Sequence, residues 1–132
     1  MEGEKRKILI VDDDTFLLDM YAFKFSQHGF EVYTAPNSLQ VVKKLKDGFD
    51  VDIILLDIIM PDMDGFEMLE KINQEKLSPN SVKIILSNKS EQSDVERGNA
   101  LGVSGYIVKA NSTPAEVIEQ VVGILLKKVS KS

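Results

Sequence analysis

Acidic residues follow two short apolar runs of the sequence. Asp12 and Asp13 come directly after the run 8–11, and Asp57 comes directly after the run 53–56. Two carboxylates about 4 Å apart repel each other by about 4 kcal/mol at an effective dielectric constant of about 20, so acids that converge must take up a proton or bind a cation. Oxygen donors without nitrogen or sulfur suit Mg²⁺ or Mn²⁺, and an incomplete carboxylate site of this kind serves phosphoryl transfer.

A hydroxyl and an ammonium group follow two further apolar runs. Ser87 comes after the run 82–86, and Lys109 comes after the run 105–108. A carboxylate can attack phosphorus directly and form an acyl phosphate, while a metal and a lysine neutralise the charge on the phosphoryl oxygens. We interpret Asp57 as the nucleophile because it stands alone after the most apolar run. The alternative is that the aspartates only cap helices and face water, which does not explain the hydroxyl and the lysine.

The apolar runs alternate with longer stretches of helical period, and this alternation predicts a parallel sheet covered by helices on both faces. The predicted strands are 7–11, 31–35, 52–56, 82–86 and 105–108, and the predicted helices begin after Asp13, Asn37, Asp64, about residue 91, and Thr113. The expected fold class is α/β, a doubly wound five-stranded parallel sheet with five helices and the flavodoxin-like strand order 2-1-3-4-5. Because the carboxyl ends of parallel strands lie on one edge, the acids, the hydroxyl and the lysine should meet there.

The predicted helices differ in the quality of their apolar faces. Phe16 and Phe23 are expected to widen the apolar stripe of the first helix, and Leu39 is expected on the apolar face of the second. The fourth helix, at about 91–101, has few apolar residues and contains Gly98, which costs about 1 kcal/mol relative to alanine. We therefore expect the fourth helix to be the least stable.

The length of 132 residues corresponds to one domain. We expect an N-terminal tail at 1–6, the domain at 7–128, and a C-terminal tail or the start of a linker at 129–132. A second effector domain is not expected within this length. The chain is therefore read as a stand-alone domain or as one excised from a larger protein.

Composition restricts the function classes. The net charge of −5 disfavours nucleic acid as a direct partner. The chain has no cysteine, which excludes thiolate nucleophiles and sulfur-ligated zinc, and its single histidine, His28, excludes a three-histidine metal site. Because no apolar run approaches the length of a signal-peptide core or a membrane span, we expect a cytoplasmic protein without membrane contact.

Four features of the sequence resemble the receiver domain of bacterial two-component response regulators. They are ILIVDDD at 8–14, LDIIMPDMDG at 56–65, Ser87 after an apolar strand, and GYIVK at 105–109. The resemblance implies that Asp57 accepts a phosphoryl group from a sensor histidine kinase or a histidine phosphotransfer protein. It also implies that Asp12, Asp13 and Asp57 bind Mg²⁺ together with the backbone carbonyl of Ile59.

The same resemblance implies a conformational switch. Ser87 would hydrogen-bond the phosphoryl oxygen, Lys109 would pair with it, and Tyr106 would be the aromatic residue that turns inward when Ser87 moves. The fourth helix, fifth strand and fifth helix would then present a changed surface to an output protein, which the sequence does not identify. Such a protein is not an enzyme, apart from catalysing its own phosphorylation and dephosphorylation.

The sequence departs from the family pattern at several positions. The family usually has proline after the lysine, with a cis peptide bond between them, but here Lys109 is followed by Ala110, which leaves both cis and trans open. Asn88 follows Ser87 where the family often has a small residue. Ile59 offers no polar group to orient an attacking water, while Lys89 flanks the site, so we expect slow spontaneous loss of phosphate, over minutes or longer.

Two rival functions remain from the sequence. The stretch 12–15 also resembles the Asp-x-Asp-x-Thr pattern of haloacid-dehalogenase-type phosphatases, with Asp12 as nucleophile, although Thr15 stands one position earlier than that pattern requires. That class needs a further acidic metal motif after the lysine, and beyond Lys109 only Glu116 and Glu119 are acidic. The second rival is an interaction module that keeps the fold without being phosphorylated.

Overall fold

The computed structural model describes residues 5–130, so residues 1–4 and 131–132 of the two predicted tails lie outside the described part. Within residues 5–130, five strands and five α-helices alternate, with a short 3₁₀ turn at Lys109–Asn111. The elements are β1 Lys7–Val11, α1 Thr15–Gln27, β2 Glu31–Ala35, α2 Ser38–Lys46, β3 Ile53–Leu56, α3 Gly65–Gln74, β4 Val82–Ser87, α4 Gln92–Ala100, β5 Gly105–Val108 and α5 Pro114–Ser130. No helix between residues 5 and 130 combines the length and apolar character of a membrane span.

The strands form one parallel sheet in the order β2-β1-β3-β4-β5, which confirms the predicted fold class and strand order. In the register, Val11 lies beside Leu56 and Leu56 lies beside Ile85. The strand β4 continues one residue further than predicted, so Ser87 is its last residue and pairs with Val108. Because the strands are parallel, the carboxyl ends of β1, β3, β4 and β5 lie on one edge of the sheet.

Two apolar layers cover the sheet. One layer contains Phe25 of α1 and Val121 of α5 against alternate residues of the strands, and the other contains Val41 of α2 and Phe66 of α3. The central strands β1 and β3 are buried on both faces, which explains their continuous apolar sequences. This double burial holds the strand ends that carry the acidic residues.

Three apolar side chains that were expected to be on core faces are exposed instead. Phe16 is 79% exposed, Phe23 is 62% exposed, and Leu39 is 53% exposed. In α1 the buried positions are Leu18, Tyr21 and Phe25, and a residue two positions away from a buried one points to the opposite side of a helix. The apolar stripe of α1 is therefore narrower than predicted.

Helix α4 has fewer buried residues than α1, α2 or α3. Its buried residues are Asp94 and Gly98. A Cβ atom added at Gly98 would lie 2.9 Å from the Cδ1 atom of Ile85 and 3.3 Å from the Cδ2 atom of Tyr106. The glycine therefore lets the helix approach the sheet closely, at the cost of a residue with low helix propensity.

Candidate functional site

Three acidic residues meet at the carboxyl ends of β1 and β3. Because Val11 and Leu56 are register partners, the residues that follow them leave the sheet side by side. Asp12 is 4% exposed and Asp57 is 7% exposed, whereas Asp13 is open to solvent. One carboxylate oxygen from each of the three lies within 4.8 Å of the others. The convergence that the sequence predicted for Asp12, Asp13 and Asp57 is present.

Lys109 bridges the two buried acids. Its Nζ atom donates to Oδ2 of Asp12 at 2.7 Å and to Oδ2 of Asp57 at 2.8 Å. Burial alone lowers the pKa of a lysine, but the hydrogen bonds and charges of the two carboxylates outweigh it, so the pKa of Lys109 is raised. Burial raises the pKa of Asp12, and the bonds from Lys109 and the Asp14 amide offset part of that rise. The carboxylates of Asp12 and Asp57 are thus held together by one shared ammonium group.

The backbone fixes the other oxygen of each buried carboxylate. Oδ1 of Asp57 accepts the amide of Ile58 at 2.6 Å and the amide of Ile59 at 3.3 Å. Oδ1 of Asp12 accepts the amide of Asp14 at 2.9 Å. With one oxygen on the backbone and one on Lys109, each carboxylate has a defined orientation, which is a condition for positioning a reacting atom.

A glycine that the sequence interpretation did not assign contacts the loop that follows Asp57. Gly65 is the first residue of α3, and its amide donates to the carbonyl of Ile58 at 2.9 Å. A Cβ atom at this position would lie only 2.4 Å from the backbone oxygen of Asp57. The available signal was its position directly after Asp64, whose side chain caps α3 in a capping box with Glu67.

Ser87 lies at the same edge and is fully buried. Its Oγ atom accepts the backbone amide of Lys89 at 3.2 Å. The side chain of Ile59, two residues after Asp57, is 59% exposed. The predicted metal-binding role of the Ile59 carbonyl and the predicted phosphoryl contact of Ser87 stay predictions.

Lys89 connects Ser87 to Tyr106 of β5 and to helix α4. The backbone amide of Lys89 donates a hydrogen bond to Oγ of Ser87, and its carbonyl accepts one from the hydroxyl of Tyr106. Its Nζ atom lies 3.2 Å from Oδ1 of Asp94 in the first turn of α4. Burial, followed by the charges of Asp94 and Asp57, raises the pKa of Tyr106 to about 12. Lys89 therefore contacts the hydroxyl of Ser87, the hydroxyl of Tyr106 and helix α4, the three parts that the switch hypothesis involves.

The peptide bond between Lys109 and Ala110 is trans, which decides the question that the sequence left open. The amide of Ala110 donates to Oδ1 of Asn88 at 2.7 Å. The two departures from the family pattern on this edge are therefore in direct contact. Lys109 reaches the acids with a trans bond after it.

The donor set of the cluster fits a hard divalent cation. Its three candidate ligands are carboxylates that present oxygen atoms only, which is the preference of Mg²⁺ and Mn²⁺. The exposed position of Asp13 leaves one side of the cluster open to water, and Mg²⁺ usually retains several water ligands. The residues present therefore suit the cation that the sequence predicted.

Comparison with known proteins agrees with the resemblance to receiver domains that the sequence showed. A family model described as "Response regulator receiver domain" matches residues 8–122. The alkaline phosphatase synthesis transcriptional regulatory protein PhoP of Bacillus subtilis is 32% identical over 120 residues, which are 91% of this chain and 48% of that protein. The response regulator SaeR of Staphylococcus aureus is 28% identical over 91% of this chain and 50% of its own length.

A solved structure has the same architecture over its whole length. The CheY-like response regulator receiver domain protein from Methanospirillum hungatei is 29% identical, with a TM-score of 0.86, and the match covers 98% of this chain and 100% of that one. The chain spans about half the length of the curated relatives that it matches.

Proposed function

The chain belongs to the response regulator receiver domain family, and on that premise we propose that Asp57 accepts a phosphoryl group from a histidine kinase or a histidine phosphotransfer protein. Members of this family are signalling proteins of two-component systems and not classical enzymes. The observation that carries the proposal is the contact of Lys109 with Asp57 inside a cluster of three carboxylates. We also propose a cytoplasmic location, on the basis of the family.

The transfer exchanges one bond for another at phosphorus. The bond between phosphorus and the donor's imidazole nitrogen breaks as a bond to a carboxylate oxygen of Asp57 forms, and the imidazole nitrogen keeps the electron pair. Backbone amides of Ile58 and Ile59 orient the carboxylate, and the Lys109 ammonium neutralises charge on the phosphoryl oxygens. In this scheme the domain catalyses only its own phosphorylation and dephosphorylation.

Mg²⁺, or Mn²⁺ in its place, is the proposed cofactor. Asp12, Asp13 and Asp57, together with the backbone carbonyl of Ile59, would hold it. When bound, the cation supplies a Lewis acid that stabilises negative charge on the transferring phosphoryl group. The open side of the cluster at Asp13 is compatible with a cation that keeps water ligands.

The proposed signal leaves through α4, β5 and α5. A phosphoryl group adds about two negative charges at the sheet edge and favours the state in which Ser87 hydrogen-bonds it. Movement of Ser87 changes its bond to Lys89, whose carbonyl contacts Tyr106 and whose ammonium group pairs with Asp94. The α4-β5-α5 face would then bind an output protein, and direct contact with nucleic acid or a membrane is not part of the proposal.

Intact mass measurement tests the acceptor. Incubation with acetyl phosphate and Mg²⁺ should add one phosphoryl group to the wild-type chain, and Asp57→Asn should abolish the gain. Asp62→Asn is the matched control, because Asp62 is an exposed acid in the loop after the acceptor and asparagine tolerates its positive φ angle of 68°. The control should be phosphorylated like the wild type.

The same experiment separates the rival functions. If Asp57→Asn still gains a phosphoryl group and Asp12→Asn does not, the chain is an Asp12-dependent phosphatase and the proposal is wrong. If no variant, including the wild type, is labelled by acetyl phosphate or by phosphorylated kinases, the domain acts without phosphorylation. The family match favours the receiver function over both rivals.

A further inference from the structure

A side-chain hydrogen bond joins the loop after β4 to the turn after β5. The amide of Ala110 donates to Oδ1 of Asn88 at 2.7 Å, across 22 positions of sequence. Each partner is the direct neighbour of a functional candidate, because Asn88 follows Ser87 and Ala110 follows Lys109. The bond therefore links the two loops at the point where the hydroxyl and the ammonium group enter the site.

The turn that carries Lys109 has little capping of its own. The three residues Lys109–Asn111 form a 3₁₀ turn, and the residue that precedes them, Val108, has no side chain that accepts a hydrogen bond. The first amides of such a turn have no partner within it, so they need an acceptor from elsewhere. Asn88 supplies that acceptor from a different loop and stabilises the turn from outside.

We propose that Asn88 is a positioning residue, whose side-chain oxygen holds the Ala110 amide and thereby directs the Lys109 ammonium to Asp57. The expected effect on the rate of phosphorylation rests on the proposed function. The hydrogen bond between Asn88 and Ala110 does not depend on that function. Ala110 makes the device possible, because a proline at this position has no amide hydrogen to donate. Two of the departures from the family pattern, at positions 88 and 110, are then coupled, because Asn88 accepts the amide hydrogen that Ala110 retains and a proline would lack.

The first test measures the bond and the position of Lys109 without phosphorylation. Asn88→Leu removes the acceptor and keeps the approximate size of the side chain, and Asn88→Asp restores an acceptor oxygen. In NMR spectra, Asn88→Leu should raise the hydrogen exchange rate of the Ala110 amide about three- to tenfold. It should also broaden the Nζ signal of Lys109, which is held by two carboxylates in the wild type. Asn88→Asp should recover both signals.

A double-mutant cycle tests the consequence for phosphorylation. Asn88→Leu should slow labelling by acetyl phosphate and Mg²⁺ about two- to tenfold, which is the range for one neutral hydrogen bond. In an Ala110→Pro background, where the donor is absent, Asn88→Leu should have no further effect. Asn111→Leu is the matched control, since it makes the same exchange at an exposed position of the same turn and should label at the wild-type rate.

Each outcome of these tests decides the inference. Unchanged Ala110 exchange in Asn88→Leu would mean that the bond is absent in solution. Changed exchange with an unchanged Lys109 signal would mean that the bond does not position the lysine. An equal effect of Asn88→Leu in both backgrounds would also overturn the inference. If the wild type itself is not labelled, the proposed function fails, while the two NMR signals still decide the inference about Asn88.

Discussion

The half of the domain that holds the proposed acceptor Asp57, the acceptor side, is packed more firmly than the half proposed to carry the signal, the output side. On the acceptor side, β1 and β3 are buried on both faces, and Asp57 is held by two backbone amides and Lys109. On the output side, α4 buries only Asp94 and Gly98, and Tyr106 is half-buried in the edge strand β5. Regions with few buried contacts open at lower free energy than the core. The proposed chemistry therefore lies in the more firmly packed half, and the proposed conformational response lies in the half with fewer buried contacts.

Removal of the ammonium group should give the largest loss of stability on the acceptor side. Lys109→Met leaves two buried carboxylates facing each other, and uncompensated buried charge costs about 3 kcal/mol or more. Urea unfolding in the presence of EDTA measures the loss, and added Mg²⁺ should recover part of it by binding the folded state. Lys24→Met, at an exposed position of α1, should change stability by less than about 0.5 kcal/mol. Equal losses in the two variants would show that the cluster is not charge-balanced by Lys109.

Two glycine substitutions compare the two halves directly. Gly65→Ala puts a Cβ atom 2.4 Å from the backbone oxygen of Asp57, and we expect a loss of about 1 to 3 kcal/mol. Gly98→Ala meets the end of the flexible Ile85 side chain at 2.9 Å, and the gain of about 1 kcal/mol in helix propensity offsets the strain. Thermal or urea unfolding should rank them in that order, and the reverse ranking would contradict the comparison.

The lifetime of the acyl phosphate tests whether the side chain of Ile59 limits hydrolysis at the proposed acceptor site. The apolar, exposed side chain of Ile59 cannot orient water, so the phosphorylated wild type should lose phosphate slowly, over minutes or longer. Ile59→Asn introduces a polar group of similar size and should accelerate the loss about tenfold, the equivalent of one good hydrogen bond. Phosphate release after removal of the donor measures both, and Ile59→Leu is the control. Rapid release from the wild type would contradict the expectation.

The ion pair between Lys89 and Asp94 should contribute little to global stability. The side chain of Lys89 is 42% exposed, and such pairs are worth about 0 to 1 kcal/mol. Lys89→Met should leave the urea midpoint nearly unchanged but raise amide hydrogen exchange in the first turn of α4. Lys127 and Lys128 lie at the far end of the domain in α5, and Lys128→Met should not alter exchange in α4. Uniform exchange changes across the domain would argue against a local role.

The ionisation of Tyr106 has no effect at neutral pH and acts only within a defined window at high pH. Its pKa is raised to about 12, first by burial and then by the charges of Asp94 and Asp57. A tyrosine whose folded pKa exceeds the unfolded value of about 10 contributes stability that is present below pH 10 and is lost between about pH 10 and 12. Tyrosinate absorbance should show a transition near pH 12 that disappears in Tyr106→Phe. A Tyr106 transition near pH 10 would remove this contribution.

Much of the architecture was predictable because it depends on local signals. Strand positions followed from short apolar runs and agree with the structure to within one residue at each end, as at Ser87, which β4 includes. Asp64 and Asn37 cap their helices as their residue types indicate. The exposure of Phe16 and Phe23 was missed because a count of apolar residues does not measure the angle at which each leaves the helix.

The sequence by itself determined which chemical groups stand at the strand ends, because the apolar period and the chain order place Asp12, Asp57, Ser87 and Lys109 on one edge of a parallel sheet. Only the tertiary structure decided the close approach of Gly65 to the loop that follows Asp57 and the pairing of Asn88 with Ala110. These contacts join segments of different loops, and their existence depends on strand register and loop path to within a fraction of an ångström. Periodicity and spacing along one chain do not carry that information.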